Sequence, residues 1–421
     1  MLDVSVLYGG LVTARTPHRY GCRITELDPS AYQRMAAARS TFPHRFVVVW
    51  NLTRTCNLNC VRCNTDSRRR SYSGELTTDE CFAVLDDLQD LGVHAVVFSG
   101  GEPLARTDFF DIAAHARKLG LRIVLSTNGT LIDRYAGEQF AQLKFAYVGI
   151  NLDSISPDVH DILCGEKGAF ERTMHGLRHC TQAGQEVGLR LTLADHTCRD
   201  LDGALKFFET ENIKRACFYH LCPIGRGRKL AFVPRIEVRR AVNRVFDLAK
   251  GLSERRSEAD ILTANNYCDG PYLYLRMLRE GHFRAEQVRN MLEWNGGALY
   301  CDGVGIGHID SLGTVHACQF SGHRSFGNVR RRRFSEIWQD ISDPILVGLK
   351  DRLPLLKDRC GYCRFRTLCG GSSRVRAEIV TGDPWAPDPA CYLIGDEIRG
   401  DEIAPEQDVG HYEPGESRVQ K

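Results

Sequence analysis

Three closely spaced cysteines, Cys56, Cys60 and Cys63, are the residues best suited to bind a metal. They directly follow an apolar run, 46–52, so they are predicted to lie on a loop at the C-terminal end of a β-strand. Three thiolates on one short loop can bind three irons of an iron–sulfur cluster, whereas zinc sites and ordinary iron–sulfur sites usually take a fourth protein ligand. The spacing therefore favours a cluster with one open iron, and a structural zinc loop is the alternative.

A second motif, Gly100-Gly101-Glu102-Pro103, follows the next predicted strand, 95–99. Glycine allows the backbone to approach a ligand closely, and the Glu102 carboxylate can bind a cation. Either motif alone can arise by chance. Two motifs in this order, each after a strand, point to one common site.

Together these motifs resemble those of the radical S-adenosylmethionine (radical SAM) enzymes. The resemblance implies that the three cysteines bind a 4Fe–4S cluster whose open iron binds S-adenosylmethionine, and that the glycine-rich motif lies at the methionyl ammonium. Two residues depart from the family: Arg62 stands where an aromatic residue near the adenine is common, and Asn64 where many relatives have tyrosine. The guanidinium plane of Arg62 can stack in place of the aromatic ring.

The chain around these motifs alternates apolar strand-like runs with segments of helical periodicity. The predicted strands are 46–52, 95–99, 122–126, 145–152, 189–194 and 216–221. The predicted helices are 78–91, 109–119, 170–183, 202–211 and, beyond the last strand, 237–249. Repeated βα units predict an α/β fold, a partial TIM-like (βα)6 barrel, whose ligands bind at the C-terminal ends of the strands.

Polar residues stand at two further strand ends. Ser126 and Asn128 end the third predicted strand, and Asn151 and Asp153 end the fourth. The resemblance implies that these residues contact the ribose hydroxyls and the methionyl carboxylate of S-adenosylmethionine. The alternative is turn formation, because Asn-Gly and Asp-Ser pairs are good turn formers.

Other residues are candidates for substrate contact. His220 and Cys222 end the sixth predicted strand, where a buried structural histidine or cysteine is an equal alternative. The arginine runs 68–70 and 330–333 can clamp carboxylates bidentately, although charge runs are more often solvated surface.

The C-terminal third carries a second group of cysteines, Cys360, Cys363, Cys369 and Cys391. It resembles the SPASM extension of radical SAM enzymes, a small domain that binds one or two auxiliary iron–sulfur clusters. The resemblance implies that these four thiolates hold one auxiliary cluster, and a zinc site with the same ligands is the alternative.

Cys301 and Cys318 straddle a predicted β-hairpin turn and resemble half of the other SPASM ligand set. The cysteine that the extension usually has next is replaced by Ser373. Cys268, a serine oxygen or the substrate can complete the site, or the pair can be simple buried thiols.

The motifs divide the chain into five predicted segments. They are an N-terminal extension (1–45), the radical SAM partial barrel (46–235), a helical bridge (236–300), the SPASM-like domain (301–400) and a polar tail (401–421).

Composition excludes several classes of partner. Lys plus Arg at 55 against Asp plus Glu at 53 gives no charge excess for nucleic acid or an anionic membrane. No apolar run approaches the roughly 20 residues that span a bilayer, and no signal-like segment opens the chain, so a cytoplasmic protein is predicted. The 17 cysteines are then interpreted as reduced ligands and buried thiols, which predicts oxygen sensitivity.

Nearly the whole length is similar to the tetrapyrrole-trimming branch of the family, the didecarboxysiroheme deacetylases and the enzymes that make the haem of dissimilatory nitrite reductases. The stretches that carry this similarity are 20–21, 47–54, 218–221, 269–273, 325–329, 375–378 and 388–391. The resemblance implies a small-molecule substrate with carboxylate groups, loss or rearrangement of a carboxylated side chain, and a reductant such as flavodoxin or ferredoxin.

Several other functions share these cysteine motifs. A sugar, a nucleoside, an antibiotic precursor or a ribosomal peptide are alternative substrates, and the short N-terminal extension disfavours the peptide. A non-catalytic iron–sulfur carrier or a zinc-binding interaction protein is a further alternative. The glycine-rich motif argues against it, since a carrier needs no cofactor pocket.

Overall fold

The computed structural model describes residues 1–9, 46–230, 233–255, 257 and 259–400. Of the predicted N-terminal extension, only the first nine residues fall in this described part. The predicted polar tail, 401–421, lies outside it.

An 11-stranded sheet runs through the described part of the chain. Its strands are β1 (Leu2–Asp3), β2 (Val47–Thr53), β3 (Ala95–Gly100), β4 (Arg122–Thr127), β5 (Tyr147–Asn151), β6 (Val187–Leu193), β7 (Arg215–His220), β8 (Asp260–Ala264), β9 (Ile306–Ile309), β10 (Thr314–His316) and β11 (Gly327–Asn328). Strands β2 to β8 lie side by side in chain order and run parallel, and β9 pairs parallel with the other side of β2. Antiparallel strands form both edges, so the sheet is a partial barrel that is not closed.

Helices connect the parallel strands and cover the outer face of the sheet. Those up to the end of β7 are α1 (Val4–Gly9), α2 (Thr78–Asp90), α3 (Phe109–Lys118), α4 (Arg134–Gln142), α5 (Pro157–Cys164), α6 (Ala169–Gln182), α7 (Asp195–Arg199) and α8 (Leu201–Thr210). The later ones are α9 (Arg235–Glu254), α10 (Asp269–Arg279), α11 (Ala285–Asn295), α12 (Phe334–Gln339), α13 (Pro344–Lys350), α14 (Asp358–Tyr362), α15 (Arg366–Cys369), α16 (Arg374–Thr381) and α17 (Gly395–Arg399). No described helix is both long and apolar enough to cross a membrane.

The valine-rich sequence of β2 explains its central place in the sheet, because β-branched residues pack well on a pleated surface. Successive side chains point to opposite faces. Val49 therefore packs on the inner face with Val97 of β3. Trp50 and Phe98 pack on the outer face, beneath the helices, with ring centroids 6.5 Å apart.

All six predicted strands are confirmed as β2 to β7, and the five predicted helices as α2, α3, α6, α8 and α9. Among the helices that were not predicted are α4 and α5, which lie within the barrel. Their boundary signals are nevertheless present in the sequence: the Asp133 carboxylate caps α4 by accepting from the Ala136 N–H at 2.8 Å, and α5 begins with Pro157 and is followed by Gly165.

The predicted helical bridge, 236–300, is wrong at one point. Its residues 260–264 form β8, a buried strand that extends the sheet beyond β7. The predicted SPASM-like segment also contributes a strand, β9, which pairs with the other side of β2. The hairpin predicted in this segment is confirmed as β9–β10. Both C-terminal segments are therefore built into the sheet.

Candidate cofactor and substrate cavity

A cavity of about 780 Å³ opens at the C-terminal ends of the parallel strands. Residues from the ends of β3 to β7 form one part of its wall, and residues around Cys301 and Cys318 form another. This edge of a parallel sheet is where α/β proteins bind their ligands. The cavity thus connects the N-terminal cysteine loop with the C-terminal domain.

The thiols of Cys56, Cys60 and Cys63 all line this cavity. The backbone N–H of Leu58 donates to the Cys56 sulfur at 3.4 Å, and that of Ser67 donates to the Cys63 sulfur at 3.3 Å. Such donors stabilise a thiolate. Burial raises the pKa of Cys56 to about 12, so metal binding must displace its proton. Three thiols facing one cavity are the donor set that an iron–sulfur cluster with one open iron requires.

Groups distant in the sequence hold this loop in place. The N–H groups of Asn59 and Val61 donate to the last two carbonyls of α5, at 3.0 and 2.9 Å. The Arg226 guanidinium donates to the carbonyls of Cys60 at 2.7 Å and Ser67 at 2.9 Å. These bonds fix the backbone that carries the thiols.

Gly100 and Gly101 lie against the segment that leads into the cysteine loop. A Cβ at Gly100, where φ is 146°, would lie 2.4 Å from the Thr53 carbonyl oxygen, and one at Gly101 would lie 2.3 Å from that of Thr55. Only glycine fits at such distances. Both glycines also line the cavity, so their backbone is available to a bound cofactor.

The Glu102 side chain is not part of the cavity lining. Its carboxylate is fully buried and accepts from the Thr127 hydroxyl at 2.8 Å, the Asn128 N–H at 2.8 Å and the Leu104 N–H at 3.2 Å. Burial raises its pKa to about 7. In this conformation Glu102 supports the end of β4, and Pro103 is buried beside it, also outside the cavity lining.

The four polar residues predicted at strand ends, Ser126, Asn128, Asn151 and Asp153, all line the cavity. Asn128 also ties β4 to the cysteine loop, because its amide donates to the Asn57 side-chain oxygen at 2.9 Å. Sequence reasoning missed their neighbour Arg190, which donates to the Ser126 hydroxyl at 2.6 Å. A charged residue inside the apolar strand β6 was the signal that could have found it.

Asp153 forms a buried ion pair with Arg62, whose Nε and Nη2 both donate to the same carboxylate oxygen. Although burial alone would raise it, the guanidinium holds the pKa of Asp153 below its usual value. The Arg62 guanidinium, which can stack in place of the family's aromatic residue, is thus oriented by Asp153. It remains in the cavity wall.

A fourth thiol, Cys164, lies beside the N-terminal cysteine loop. The ligating atoms of Cys60, Asp153 and Cys164 are all within 4.8 Å of one another. The Asp153 N–H donates to His160 Nδ1 at 3.1 Å, which leaves His160 Nε2–H to face the Cys164 sulfur at 3.4 Å. Only the packing of α5 against the loop brings this thiol there.

The structure brings Cys360, Cys363, Cys369 and Cys391 together, outside the cavity lining. Burial and then the three neighbouring thiols raise the pKa of Cys369 above its ordinary value. Four clustered thiols fit a closed iron–sulfur cluster, and they equally fit zinc. Cys268 joins this group: its thiol donates to the Cys391 sulfur, and this hydrogen bond lowers the pKa of Cys391 below its ordinary value.

Cys268 therefore lies with Cys391 and not with Cys301 and Cys318, the pair for which it was one of the candidate further ligands. That pair, Cys301 and Cys318, lines the cavity together with Asp302 and Cys222. His220 lines the cavity too, but its Nε2 is 3.0 Å from the Asp269 carboxylate, which also accepts from a tyrosine hydroxyl.

Neither arginine run lines the cavity. Residues 68–70 are exposed beside the cysteine loop, and Arg330 pairs with Glu80 at 2.6 Å on the surface. The interpretation as solvated surface fits both runs.

Comparison with known proteins gives two family matches. The radical SAM superfamily matches residues 50–208, and the SPASM iron–sulfur cluster-binding domain matches residues 285–364.

Curated relatives extend over most of the chain. Fe-coproporphyrin III synthase from Methanosarcina barkeri is 43% identical over 94% of this chain and 99% of that protein. Pre-heme d1 synthase from Dinoroseobacter shibae is 39% identical over 83% of this chain and 87% of that protein. Among solved structures, Streptococcus suis SuiB bound to S-adenosylmethionine has a TM-score of 0.65 at 18% identity, covering 87% of this chain and 82% of that one, which is a likeness of fold.

Proposed function

Because the chain belongs to the haem-synthesis branch of the radical SAM superfamily and carries the SPASM extension, we propose that it removes a carboxylated side chain from a tetrapyrrole. The observation that carries this proposal is the single cavity lined both by Cys56, Cys60 and Cys63 and by the C-terminal domain. Its volume of about 780 Å³ lies in the upper range of ligand pockets. The tetrapyrrole class is inferred from the relative named for making Fe-coproporphyrin III.

Different residues of the cavity wall would bind different parts of the cofactors. When bound, the cluster and S-adenosylmethionine supply a 5′-deoxyadenosyl radical that takes a hydrogen atom from the substrate. The three cysteine thiolates would hold the cluster, and the backbone of Gly100 and Gly101, which lines the cavity, would be available to the cofactor's amino group. Arg190 and Ser126, joined by a hydrogen bond, would offer a guanidinium and a hydroxyl to the cofactor's carboxylate, a pairing that such donors prefer.

The remaining wall residues position the substrate and keep water out. Inner-face valines such as Val49 and Val97 give the floor an apolar surface, which excludes water that would quench a radical. Arg62, held by Asp153, presents its guanidinium beside the cysteine loop, where a substrate carboxylate can reach it. An external reductant such as flavodoxin or ferredoxin supplies the electron.

The test is an anaerobic turnover assay with reconstituted protein, dithionite and S-adenosylmethionine. Didecarboxysiroheme is expected to give 5′-deoxyadenosine together with Fe-coproporphyrin III, both measured by mass spectrometry. A panel of sugars, nucleosides and a peptide runs in parallel. Nucleoside formation stimulated only by a panel member would overturn the tetrapyrrole assignment, and none with any substrate would overturn radical catalysis.

A further inference from the structure

Cys164, the last residue of α5, places a buried thiol beside one of the three cysteines of the N-terminal loop. Its side chain is 3% exposed and packs with Cys60, Leu58 and Ala169. Its sulfur lies within 4.8 Å of the Cys60 sulfur and of an Asp153 carboxylate oxygen. Cys164 is not one of the three loop cysteines, so its position calls for a role other than that of a loop ligand.

The backbone determines which nitrogen of His160 carries a hydrogen. The Asp153 N–H donates to Nδ1 at 3.1 Å, so Nδ1 is the acceptor and Nε2 is protonated. Nε2 lies 3.4 Å from the Cys164 sulfur and donates to it. Phe170 packs edge to face on the His160 ring, with ring centroids 5.8 Å apart, and holds it in this orientation. Because the Cys164 sulfur accepts from His160, the thiol proton of Cys164 is left to donate elsewhere.

Two acceptors lie within reach of this thiol proton. One is Oδ2 of Asp153 at 3.6 Å, and the other is the sulfur of Cys60. The Asp153 carboxylate is already paired with Arg62 through its other oxygen, which partly neutralises its charge. The Cys60 sulfur becomes an anionic thiolate once iron displaces its proton. In apolar surroundings a hydrogen bond to such an anion is strong.

We propose that the Cys164 thiol donates a hydrogen bond to the iron-bound Cys60 sulfur and thereby raises the reduction potential of the N-terminal cluster. One electron from the external reductant increases the negative charge on the cluster sulfurs, and a donor to one of them stabilises the reduced state more than the oxidised one. This step transfers one electron and neither forms nor breaks a covalent bond. Cys164 is thus a positioning residue, because it acts through Cys60. The inference rests on the cluster of the proposed function and not on its tetrapyrrole substrate.

The test is a redox titration of the reconstituted protein without substrate, followed by electron paramagnetic resonance. The signal of the N-terminal cluster is identified as the one that changes when S-adenosylmethionine is added. Cys164→Ala is expected to make reduction of this cluster about tenfold less favourable, which is a potential about 59 mV more negative. The control is Cys180→Ala, which removes a buried thiol in α6 and should leave the potential unchanged. An unchanged potential in Cys164→Ala would overturn the proposal and assign the thiol proton to Asp153.

A second variant, Cys164→Ser, separates the hydrogen bond from the packing of the side chain. Serine retains one donor, so the equilibrium for reduction is expected to stay within about threefold of the parent's. A potential as negative as that of Cys164→Ala would assign the effect to packing and contradict the proposal.

A further measurement uses the parent protein. In its infrared spectrum, the S–H stretching band of Cys164 is identified by its absence from the spectrum of Cys164→Ser. This band is expected to move to lower frequency when the cluster is reduced, because the Cys60 sulfur then becomes a stronger acceptor. A band that does not move on reduction would exclude the hydrogen bond.

Because the potential is measured without substrate, this test and the turnover assay can fail independently. A protein that forms Fe-coproporphyrin III, but whose potential is the same in Cys164→Ala, keeps the proposed function and loses this inference. A protein with the shifted potential but no product does the reverse.

Discussion

The N-terminal cysteine loop and the four-cysteine group of the C-terminal domain use the same donor atoms in opposite surroundings. Cys56, Cys60 and Cys63 line a cavity and are held by hydrogen bonds to their backbone. The four cysteines of the C-terminal group lie outside the cavity lining, among short helices.

The two regions also differ in how their arginine–aspartate pairs are buried. Beside the C-terminal group, the Arg376 and Asp388 side chains are both fully buried, joined at 2.7 Å, and Arg376 also donates to the carbonyls of Leu221 and Asn265 in the barrel. At the N-terminal loop, Arg62 pairs with Asp153 but keeps one side in the cavity. The difference indicates that one region is built to admit a ligand and the other to remain closed.

The largest expected effect separates the two regions by function. Cys60→Ala is expected to lower 5′-deoxyadenosine formation by more than about 1,000-fold, because it removes a ligand on which all later steps depend. Cys363→Ala is expected to keep nucleoside formation within about tenfold of the parent while abolishing formation of the proposed tetrapyrrole product. Mass spectrometry of both products measures this. Equal loss of the nucleoside in both variants would contradict this difference between the two regions. The control is Cys180→Ala, which removes a buried thiol in α6.

The next effect concerns the buried pair that closes the C-terminal region. Arg376→Ala is expected to lower the free energy of unfolding by about 3–5 kcal/mol, because it leaves the Asp388 carboxylate buried without its partner. Denaturant titration under anaerobic conditions measures it. The matched control is Arg330→Ala, which removes a surface pair with Glu80 and is expected to cost less than about 1 kcal/mol. Similar losses in the two variants would contradict this account.

A smaller effect depends on pH. Burial raises the pKa of Glu102 to about 7 in the folded protein, above the 4.5 of an unperturbed glutamate. The folded state therefore binds more protons between these two values, and this contribution to stability is lost as the pH rises through about 7. The parent protein is expected to lose about 1–3 kcal/mol of unfolding free energy between about pH 5 and about pH 8. Glu102→Gln should remove that slope, and an unchanged slope would show that another group is responsible.

The smallest expected effect concerns the N-terminal cysteine loop. Arg226→Ala removes two hydrogen bonds to the carbonyls of the cysteine loop. Iron is expected to leave for a chelator about tenfold faster, because the loop backbone is then less fixed. Arg228→Ala, in the same short turn, serves as the control, and its release rate should match that of the parent.

Most of the features that could be predicted depend on residues a few positions apart in the sequence. Strands β2 to β7 followed from apolar runs, and the glycine-rich motif followed from residues adjacent in the sequence. Strand β8 was missed because a five-residue strand inside a mostly helical segment has too little periodicity to show its state. The hydrogen-bond partners of Glu102 could not be predicted, because the Thr127 hydroxyl and the Asn128 N–H are brought to it by the end of β4.

By itself, the sequence determined the order of the βα units, the two regions of cysteines and the family to which they belong, because each of these is written in residues a few positions apart. Only the tertiary structure decided which distant thiols meet: Cys164 beside Cys60, Cys268 beside Cys391, and Cys222 beside Cys318. The physical reason is that a parallel sheet brings the ends of all its strands to one edge, whatever their separation along the chain.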